Sequence, residues 1–162
     1  MTVVVSDTSP LRALEWVGAL EILGHLFGRV LVPPAVVEEL RHADDGRFRE
    51  IDVSKLPFVE IVSPKSRAAV EALLGHIDLG EAEALVVAQE LAISSVLVDD
   101  MDARRKAAEL GISVVGTLGI LLKAKRAGLV TEVRPMIERL REELAFFLSD
   151  SLVAEVLRQA GE

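Results

Sequence analysis

Short apolar segments alternate with amphipathic helical segments along most of this sequence. The clearest apolar segments are TVVVS (2–6), RVLVP (29–33), SSVLVDD (94–100) and ISVVG (112–116), and VEIVS (59–63) is a weaker one. Short segments that stay apolar without alternation are typical of parallel strands, because helices cover both faces of a parallel sheet. The sequence therefore predicts an α/β fold, a three-layer α/β/α sandwich with a central parallel sheet.

Composition narrows the classes of protein to be considered. The chain has 162 residues, of which 51% are hydrophobic, and its mean hydropathy of +0.38 excludes a disordered chain. No apolar run approaches the roughly 18–20 residues that span a bilayer, and no secretory signal is visible, so we expect a cytoplasmic protein without membrane contact. Cysteine is absent, which excludes disulfides and thiolate metal sites.

The charge balance disfavours a general nucleic-acid-binding protein. The net charge is −8 and aromatic residues make up only 4%, whereas such proteins usually present a basic face and aromatic stacking platforms. A bound divalent cation would reverse the field locally. Contact with nucleic acid is therefore expected only where a cation is held.

Two of the predicted strands end in a carboxylate side chain. Asp7 follows VVVS, and Asp99 and Asp100 follow VLV. Ligands of open parallel sheets bind beyond the carboxyl ends of the strands, so we expect a shared site there. Asp7 has the alternative role of capping the helix that starts near Pro10, and one of the acids at 99, 100 and 102 is expected to cap the next helix. We favour Asp99 as the side chain in the cleft and keep Asp100 as the second choice.

Helical periodicity separates the two glutamates of PAVVEELRH. Val36, Val37 and Leu40 define the buried stripe of this predicted helix. At about 100° per residue, Glu38 lies on the solvated side and Glu39 lies on the flank of the stripe. Glu39 is therefore the candidate site residue, with an ordinary surface glutamate as the alternative.

The segment DLGEAEALVVAQEL contains a further candidate. Asp78 and Glu81 have the spacing of a capping box, which explains Glu81 structurally. Glu83 has no such explanation, and it lies in the first turns of a helix otherwise rich in Ala, Leu and Val. The alternative is that Glu83 and Glu90, seven residues apart, mark a solvated strip.

Together these residues form a set of four carboxylates from two strand ends and two helices. Oxygen ligands without His or Cys suit Mg²⁺ or Mn²⁺ rather than zinc. The sequence contains no GxGxxG, Walker loop or GxSxG motif that would indicate another chemistry. Metal-assisted phosphodiester hydrolysis is the commonest use of such a set.

Several segments, in their order and spacing, resemble a known family. These are VVVSDTSPL, LVPPAVVEEL, DLGEAEALVVAQEL, VLVDDMDARRKAAELG and VVGTLGILLKAKRAGLV. They are similar to PIN domains of the DUF3368 branch, close to the VapC-like toxin ribonucleases. The resemblance covers about residues 1–130 as a nuclease domain and leaves 131–162 as a C-terminal helical segment. It implies a Mg²⁺- or Mn²⁺-dependent endoribonuclease that leaves a 5′-phosphate, the toxin of a type II toxin–antitoxin pair with RNA as substrate and an antitoxin as partner.

The resemblance also implies which residues hold the metal and catalyse the reaction. Matched motif by motif, the acids are Asp7, Glu39, Glu83 and either Asp99 or Asp100, and Ser9 is the supporting hydroxyl. Glu83 stands where the family usually has Asp. The Val-Asp-Asp at the fourth acid replaces the usual Thr-x-Asp.

Two other functions stay open. The chain is alternatively a PIN-like scaffold that binds a partner protein or RNA without cutting it. A receiver-like phosphoacceptor domain is the weaker alternative, because the acid pair comes late in the chain and no strand-end Lys follows it. The segment 131–162 is expected to cover the domain's own core, with a homodimer or antitoxin contact as the alternatives.

Overall fold

Five parallel strands form the central sheet. The computed structural model describes residues 2–42 and 46–162. The strands are β1 (Val3–Ser6), β2 (Arg29–Val32), β3 (Val59–Ile61), β4 (Ser95–Leu97) and β5 (Ser113–Val115). Their order is β3-β2-β1-β4-β5, and every neighbouring pair is parallel. The predicted strands and their parallel arrangement are confirmed.

Helices connect the strands and extend the chain after β5. In the described part of the chain they are α1 (Thr8–Trp16), α2 (Ile22–Phe27), α3 (Pro34–Arg41), α4 (Arg67–Leu73), α5 (Leu79–Glu90), α6 (Met101–Glu109), α7 (Thr117–Arg126), α8 (Arg134–Glu143) and α9 (Asp150–Ala160). A short 3₁₀ turn covers Val53–Lys55. Pro34 begins α3, where its missing N–H costs no helical bond.

The side chains of the strands alternate between two apolar clusters. Val4, Val30, Val32 and Leu97 pack with α1, α2, α3 and α7 to α9. Val5, Leu31, Val96 and Val98 pack with α4, α5 and α6 on the other face. Because both faces are covered, the strands are apolar on both sides, and the predicted three-layer α/β/α sandwich is confirmed.

The C-terminal segment contributes to the first of these clusters. Ile137 and Leu140 of α8 and Val153, Val156 and Leu157 of α9 are buried in it, together with residues of α1 and α7. The segment therefore covers the core of its own chain. The division into a nuclease domain and a C-terminal segment at residue 130 stays a prediction.

The order of the strands defines a particular edge of the sheet. β1 lies between β2 and β4, so the connections that follow β1 and β4 leave the sheet in opposite directions. Such a switch point opens a crevice beyond the carboxyl ends of the strands. None of the described helices is long and apolar enough to cross a membrane.

Candidate active site

A cleft of about 1170 Å³, here called the acidic cleft, opens at the carboxyl ends of β1 and β4. Its acidic lining residues are Asp7, Glu39, Asp78, Glu81, Asp99 and Asp100. Ser9 also lines it, whereas Glu83 is not among the lining residues of the described chain. The fold thus brings together most of the side chains predicted from the sequence, at the switch point where ligands bind in open α/β sheets.

Asp7 lies at the floor of the acidic cleft. Its backbone N–H donates to the Leu97 carbonyl at 3.0 Å, which continues the pairing of β1 with β4 by one residue. Asp7 occupies the N-cap position of α1, but its side chain does not make the usual capping hydrogen bond. Only 5% of its surface is exposed. Burial raises the pKa of Asp7 to about 8; the Thr8 backbone N–H lowers it, and the charges of Glu81, Asp78 and Glu39 raise it further.

Glu39 reaches the acidic cleft from α3. Val36 and Leu40 are fully buried, which turns Glu39 toward the sheet edge and Glu38 toward solvent, as the helical angles predict. The Thr8 hydroxyl donates to Glu39 Oε2 at 2.5 Å. Glu38 instead pairs with His42 at 2.7 Å on the exposed side. The first turn of α1 therefore holds the carboxylate of α3 in place.

Asp99 is fixed by two hydroxyl groups and one backbone group. The Thr117 N–H and hydroxyl each donate to Asp99 at 2.7 Å, and the Ser9 hydroxyl donates at 3.1 Å. The resemblance places Ser9 beside the first acid, Asp7, whereas its hydroxyl here bonds to Asp99; its supporting role stays a prediction. Thr117 is not among the residues predicted from the sequence, although a hydroxyl residue directly after β5 lies at the same edge of the sheet.

Asp100 lines the same cleft but has a structural partner. Its Oδ2 accepts the Ala103 backbone N–H at 3.0 Å, so Asp100 caps α6. The prediction that one acid of this group caps the next helix is confirmed. Because Asp99 bonds across the cleft to Ser9 and Asp100 bonds within its own helix, Asp99 is the better placed of the two.

Glu83 is buried but its carboxylate is directed away from the acidic cleft. Its Oε1 accepts the Ala35 backbone N–H at 2.8 Å, and its Oε2 lies 3.6 Å from Arg67 Nη1. A carboxylate at the start of α3 satisfies a helix N–H and interacts favourably with the helix dipole. With 6% of its surface exposed, Glu83 does not lie on a solvated strip, so that alternative is wrong. Its role as a metal ligand stays a prediction.

Glu81, unlike Glu83, lines the acidic cleft. The predicted capping box is confirmed: Asp78 Oδ1 accepts the Glu81 N–H at 2.8 Å, and Glu81 Oε2 accepts the Asp78 N–H at 3.0 Å. Burial raises the pKa of Glu81 to about 7; the Asp78 N–H lowers it, and the charges of Asp78, Asp100 and Glu39 raise it. Glu81 is not among the site residues predicted from the sequence, because its capping box with Asp78 explains it structurally.

Gly80 leaves open space between two of these carboxylates. A Cβ at this position would lie 2.9 Å from Glu39 Oε1 and 3.5 Å from Asp7 Oδ1. The first of these distances is shorter than a carbon–oxygen contact allows, so any side chain larger than hydrogen would displace the Glu39 carboxylate. Glycine thus keeps a small space free between Asp7 and Glu39.

The residues present fit a hard divalent cation in their chemistry. Carboxylate oxygens are the donors that Mg²⁺ and Mn²⁺ prefer. Among the described residues, no Lys or Arg forms an ion pair with Asp7 or Glu81, and both carboxyl groups have a raised pKa. Over residues 2–42 and 46–162, no three Asp, Glu or His side chains converge closely enough to hold an ion as they stand. Binding would therefore require some of these carboxylates to move closer together, and the space beside Gly80 leaves room for that.

The fold and the cleft define an α/β/α protein with an acidic site at the switch point of a parallel sheet. The family model of DUF3368, described as a PIN domain, matches residues 3–162. This chain therefore belongs to the DUF3368 family of PIN domains, and the resemblance found in the sequence is confirmed. PIN domains are generally nucleases and generally use divalent metals.

One solved structure is similar to this chain over most of its length. It is a PilT N-terminus domain protein from the hyperthermophilic archaeon Sulfolobus solfataricus P2, with 24% identity and a TM-score of 0.48. The match covers 82% of this chain and 96% of the other. No curated protein matches the chain.

Proposed function

We propose that this protein is a Mg²⁺- or Mn²⁺-dependent endoribonuclease. The observation that carries the proposal is the meeting of Asp7, Glu39, Glu81 and Asp99 in one cleft at the switch point of the sheet. These four carboxylates come from two strand ends and two helices. Such a site is suited to a cation that binds a scissile phosphate.

When bound there, a divalent cation would activate a water molecule and offset charge on the phosphate. The chain's own residues prepare the site for it. Asp7 and Glu81 place two carboxyl groups at the floor, where burial makes their ionised forms costly without a cation. Thr8 orients Glu39, and Ser9 with Thr117 orients Asp99. Arg104 lines the same cleft and would contact a phosphate oxygen.

We assign the third acidic role to Glu81 rather than to Glu83, which the resemblance implied. Glu81 lines the acidic cleft, and Glu83 bonds to the start of α3. A glutamine at position 81 can still complete the capping box. Glu81→Gln is therefore expected to keep the helix and to weaken Mn²⁺ binding, measured by titration calorimetry. Glu83→Gln is expected to bind Mn²⁺ like the wild type. If Glu83→Gln instead bound Mn²⁺ more weakly than Glu81→Gln, the third acidic role would belong to Glu83.

Cleavage of a defined RNA tests the activity itself. Wild type, Asp7→Asn and Glu142→Gln would be purified identically and compared with Mg²⁺, with Mn²⁺ and with EDTA. Glu142 is exposed on α8, outside the acidic cleft, so its variant controls for the loss of one negative charge. We expect cleavage by the wild type and Glu142→Gln only with metal, and none by Asp7→Asn. Equal cleavage by all three proteins would indicate a contaminating nuclease and contradict the proposal.

We propose further that the protein is the cytoplasmic toxin of a type II toxin–antitoxin pair. The support for this is the resemblance to the VapC-like ribonucleases. Expression in a bacterial host is expected to stop growth for the wild type and not for Asp7→Asn. Co-expression of the product of an adjacent small gene is expected to restore growth. Normal growth with wild-type protein at the same expression level would contradict the toxin assignment.

A PIN-like scaffold without nuclease activity is the second candidate. The observation that favours it is the spread of the carboxylates, no three of which converge within the described residues. A scaffold would bind RNA or a protein and leave every RNA intact with both metals. Mn²⁺ titration separates the candidates further, because a nuclease site must bind the ion even when its RNA target is unknown.

A further inference from the structure

A second cleft, here called the basic cleft, lies beside the acidic one. Its volume is about 1010 Å³. Its lining includes the aromatic side chains of Trp16 and Phe48 and four arginines, which are Arg12, Arg47, Arg49 and Arg139. Arg12 and Phe48 line the acidic cleft as well, so the two clefts are adjacent and share a wall.

The two aromatic rings form a fixed unit. The ring centroids of Trp16 and Phe48 are 6.2 Å apart at an interplanar angle of 77°. The Arg12 guanidinium carbon lies 4.7 Å from the Phe48 centroid, which is within the range of a cation–π interaction. The Trp16 Nε1–H donates to Glu143 at 3.3 Å. Contacts on several sides hold these partly exposed rings in place before any ligand binds.

The character of this cleft differs from that of the whole chain. The protein carries a net charge of −8 and only six aromatic residues, one Trp and five Phe, which disfavoured a nucleic-acid surface. Two of those six aromatics and four arginines nevertheless meet in the basic cleft. Glu15 and Glu21 also line it, so its excess of positive charge is small. That balance suits a few phosphates of one strand better than the charge density of a duplex.

We infer that the basic cleft binds the single-stranded RNA segment next to the scissile phosphate. One base would stack on the Trp16–Phe48 unit, and neighbouring phosphates would contact Arg47 and Arg49. Unpaired bases stack on aromatic and guanidinium planes, which bases inside a duplex cannot reach. The inference rests on the proposed function, since it makes the acidic cleft the place where the same strand is cut.

Trp16 gives a direct measurement, because it is the only tryptophan of the chain. Wild-type protein in EDTA would be titrated with a single-stranded RNA of about ten nucleotides while tryptophan fluorescence is recorded. We expect saturable quenching whose midpoint rises with salt, because the logarithm of the association constant falls against the logarithm of the salt concentration with a slope of about −0.7 per phosphate contact. Unquenched fluorescence while the labelled RNA binds by anisotropy would place the RNA elsewhere and overturn the inference.

Paired variants test the arginines at constant charge. Arg47→Gln with Arg49→Gln is expected to weaken binding at least about fivefold and to reduce the salt slope by about 1.4. Arg105→Gln with Arg158→Gln removes the same charge from two exposed side chains that line neither cleft, and is expected to bind like the wild type. Equal weakening in both pairs would show a general charge effect and overturn the inference. Circular dichroism confirms that each variant is folded.

Two further comparisons distinguish the occupant and the activity. Poly-glutamate of matched charge is expected to leave Trp16 fluorescence unchanged, because it cannot stack; equal quenching would indicate an acidic protein partner instead of RNA. If wild-type protein cuts RNA with metal but the double variant of Arg47 and Arg49 binds RNA like the wild type, the proposed nuclease activity is supported and the inference about the basic cleft is refuted. If RNA quenches Trp16 fluorescence and is never cut, RNA binding in the basic cleft is supported and the proposed nuclease activity is refuted.

Discussion

Replacing Asp7 with Asn is expected to stabilise the metal-free protein, although it removes the carboxylate at the floor of the acidic cleft. Burial raises the pKa of Asp7 from its ordinary value of 3.8 to about 8. The folded state therefore binds this proton more tightly than the unfolded state. By linkage, the free energy of unfolding falls as the pH rises from about 4 to about 8, and it is regained on acidification.

The size of the effect follows from the two pKa values. Between them, the free energy of unfolding changes by about 1.4 kcal/mol per pH unit. Relative to acid conditions in which Asp7 is protonated in both states, the wild type is therefore less stable by about 4 kcal/mol at pH 7 and by about 2 kcal/mol at pH 5, because folding must rebind the proton that the unfolded chain has released. Asn has nearly the same shape and does not ionise. The variant should exceed the wild type in stability, by a margin that grows with pH.

Urea unfolding in EDTA at several pH values between 5 and 8 measures this margin. Subtracting the unfolding free energy of one protein from that of the other at each pH cancels the titration of the groups that the two share. Asp102→Asn is the control, because Asp102 is exposed on α6 and pairs with Arg105 at 2.9 Å. Its effect should stay below about 1 kcal/mol and should not change with pH. A margin for Asp7→Asn that is constant with pH, or a variant less stable than the wild type at pH 7, would refute the reasoning.

Metal should narrow the difference in stability between the two proteins. A cation that binds only the folded state stabilises it by about 2.7 kcal/mol at 100 times its dissociation constant. Mn²⁺ is therefore expected to raise the urea midpoint of the wild type and to leave that of Asp7→Asn nearly unchanged. An equal increase in both proteins would place the ion away from Asp7.

Three further substitutions test other parts of the structure. Gly80→Ala places a Cβ 2.9 Å from Glu39 Oε1 and is expected to weaken Mn²⁺ binding, measured by calorimetry, with an unchanged circular dichroism spectrum; wild-type affinity would contradict the account of that space. Thr117→Val removes the hydroxyl bonded to Asp99 and is expected to lower the free energy of unfolding in urea by about 1–3 kcal/mol and to slow RNA cleavage. Thr117→Ser should restore both, and its failure to do so would show that the hydroxyl does not position Asp99. Ile137→Ala empties a buried position of α8 and is expected to cost about 2–5 kcal/mol in one cooperative transition; a separate transition would show that the C-terminal helices unfold independently.

The fold was predictable because its signals are local. Five short apolar segments became five strands, since a strand covered on both faces has no polar side to interrupt the pattern. The choice of Glu39 over Glu38 was also predictable, because Val36 and Leu40 on the same helix determine which way α3 faces. In each case the residues that decide the outcome lie within a few positions of the residue concerned.

The basic cleft was not predictable, because its residues come from distant parts of the chain. Trp16 lies on α1, and Phe48 follows α3, yet their rings pack edge to face. Composition averages over the whole surface, so a net charge of −8 concealed a local group of arginines. Total charge therefore says little about a particular cleft, and the exclusion drawn from it held only for the chain as a whole.

Glu81 shows why a structural explanation does not exclude a functional one. Its capping box with Asp78 is real, and the same bonds hold its carboxylate beside Asp7 in the acidic cleft. Glu83 seemed the better candidate because no local pattern explained it, but its partner is the start of α3, far away in sequence. Spacing reveals partners within one helix and conceals those on another. A carboxylate held by a helix cap loses less conformational entropy when it binds an ion than a mobile side chain does, which favours it as a ligand.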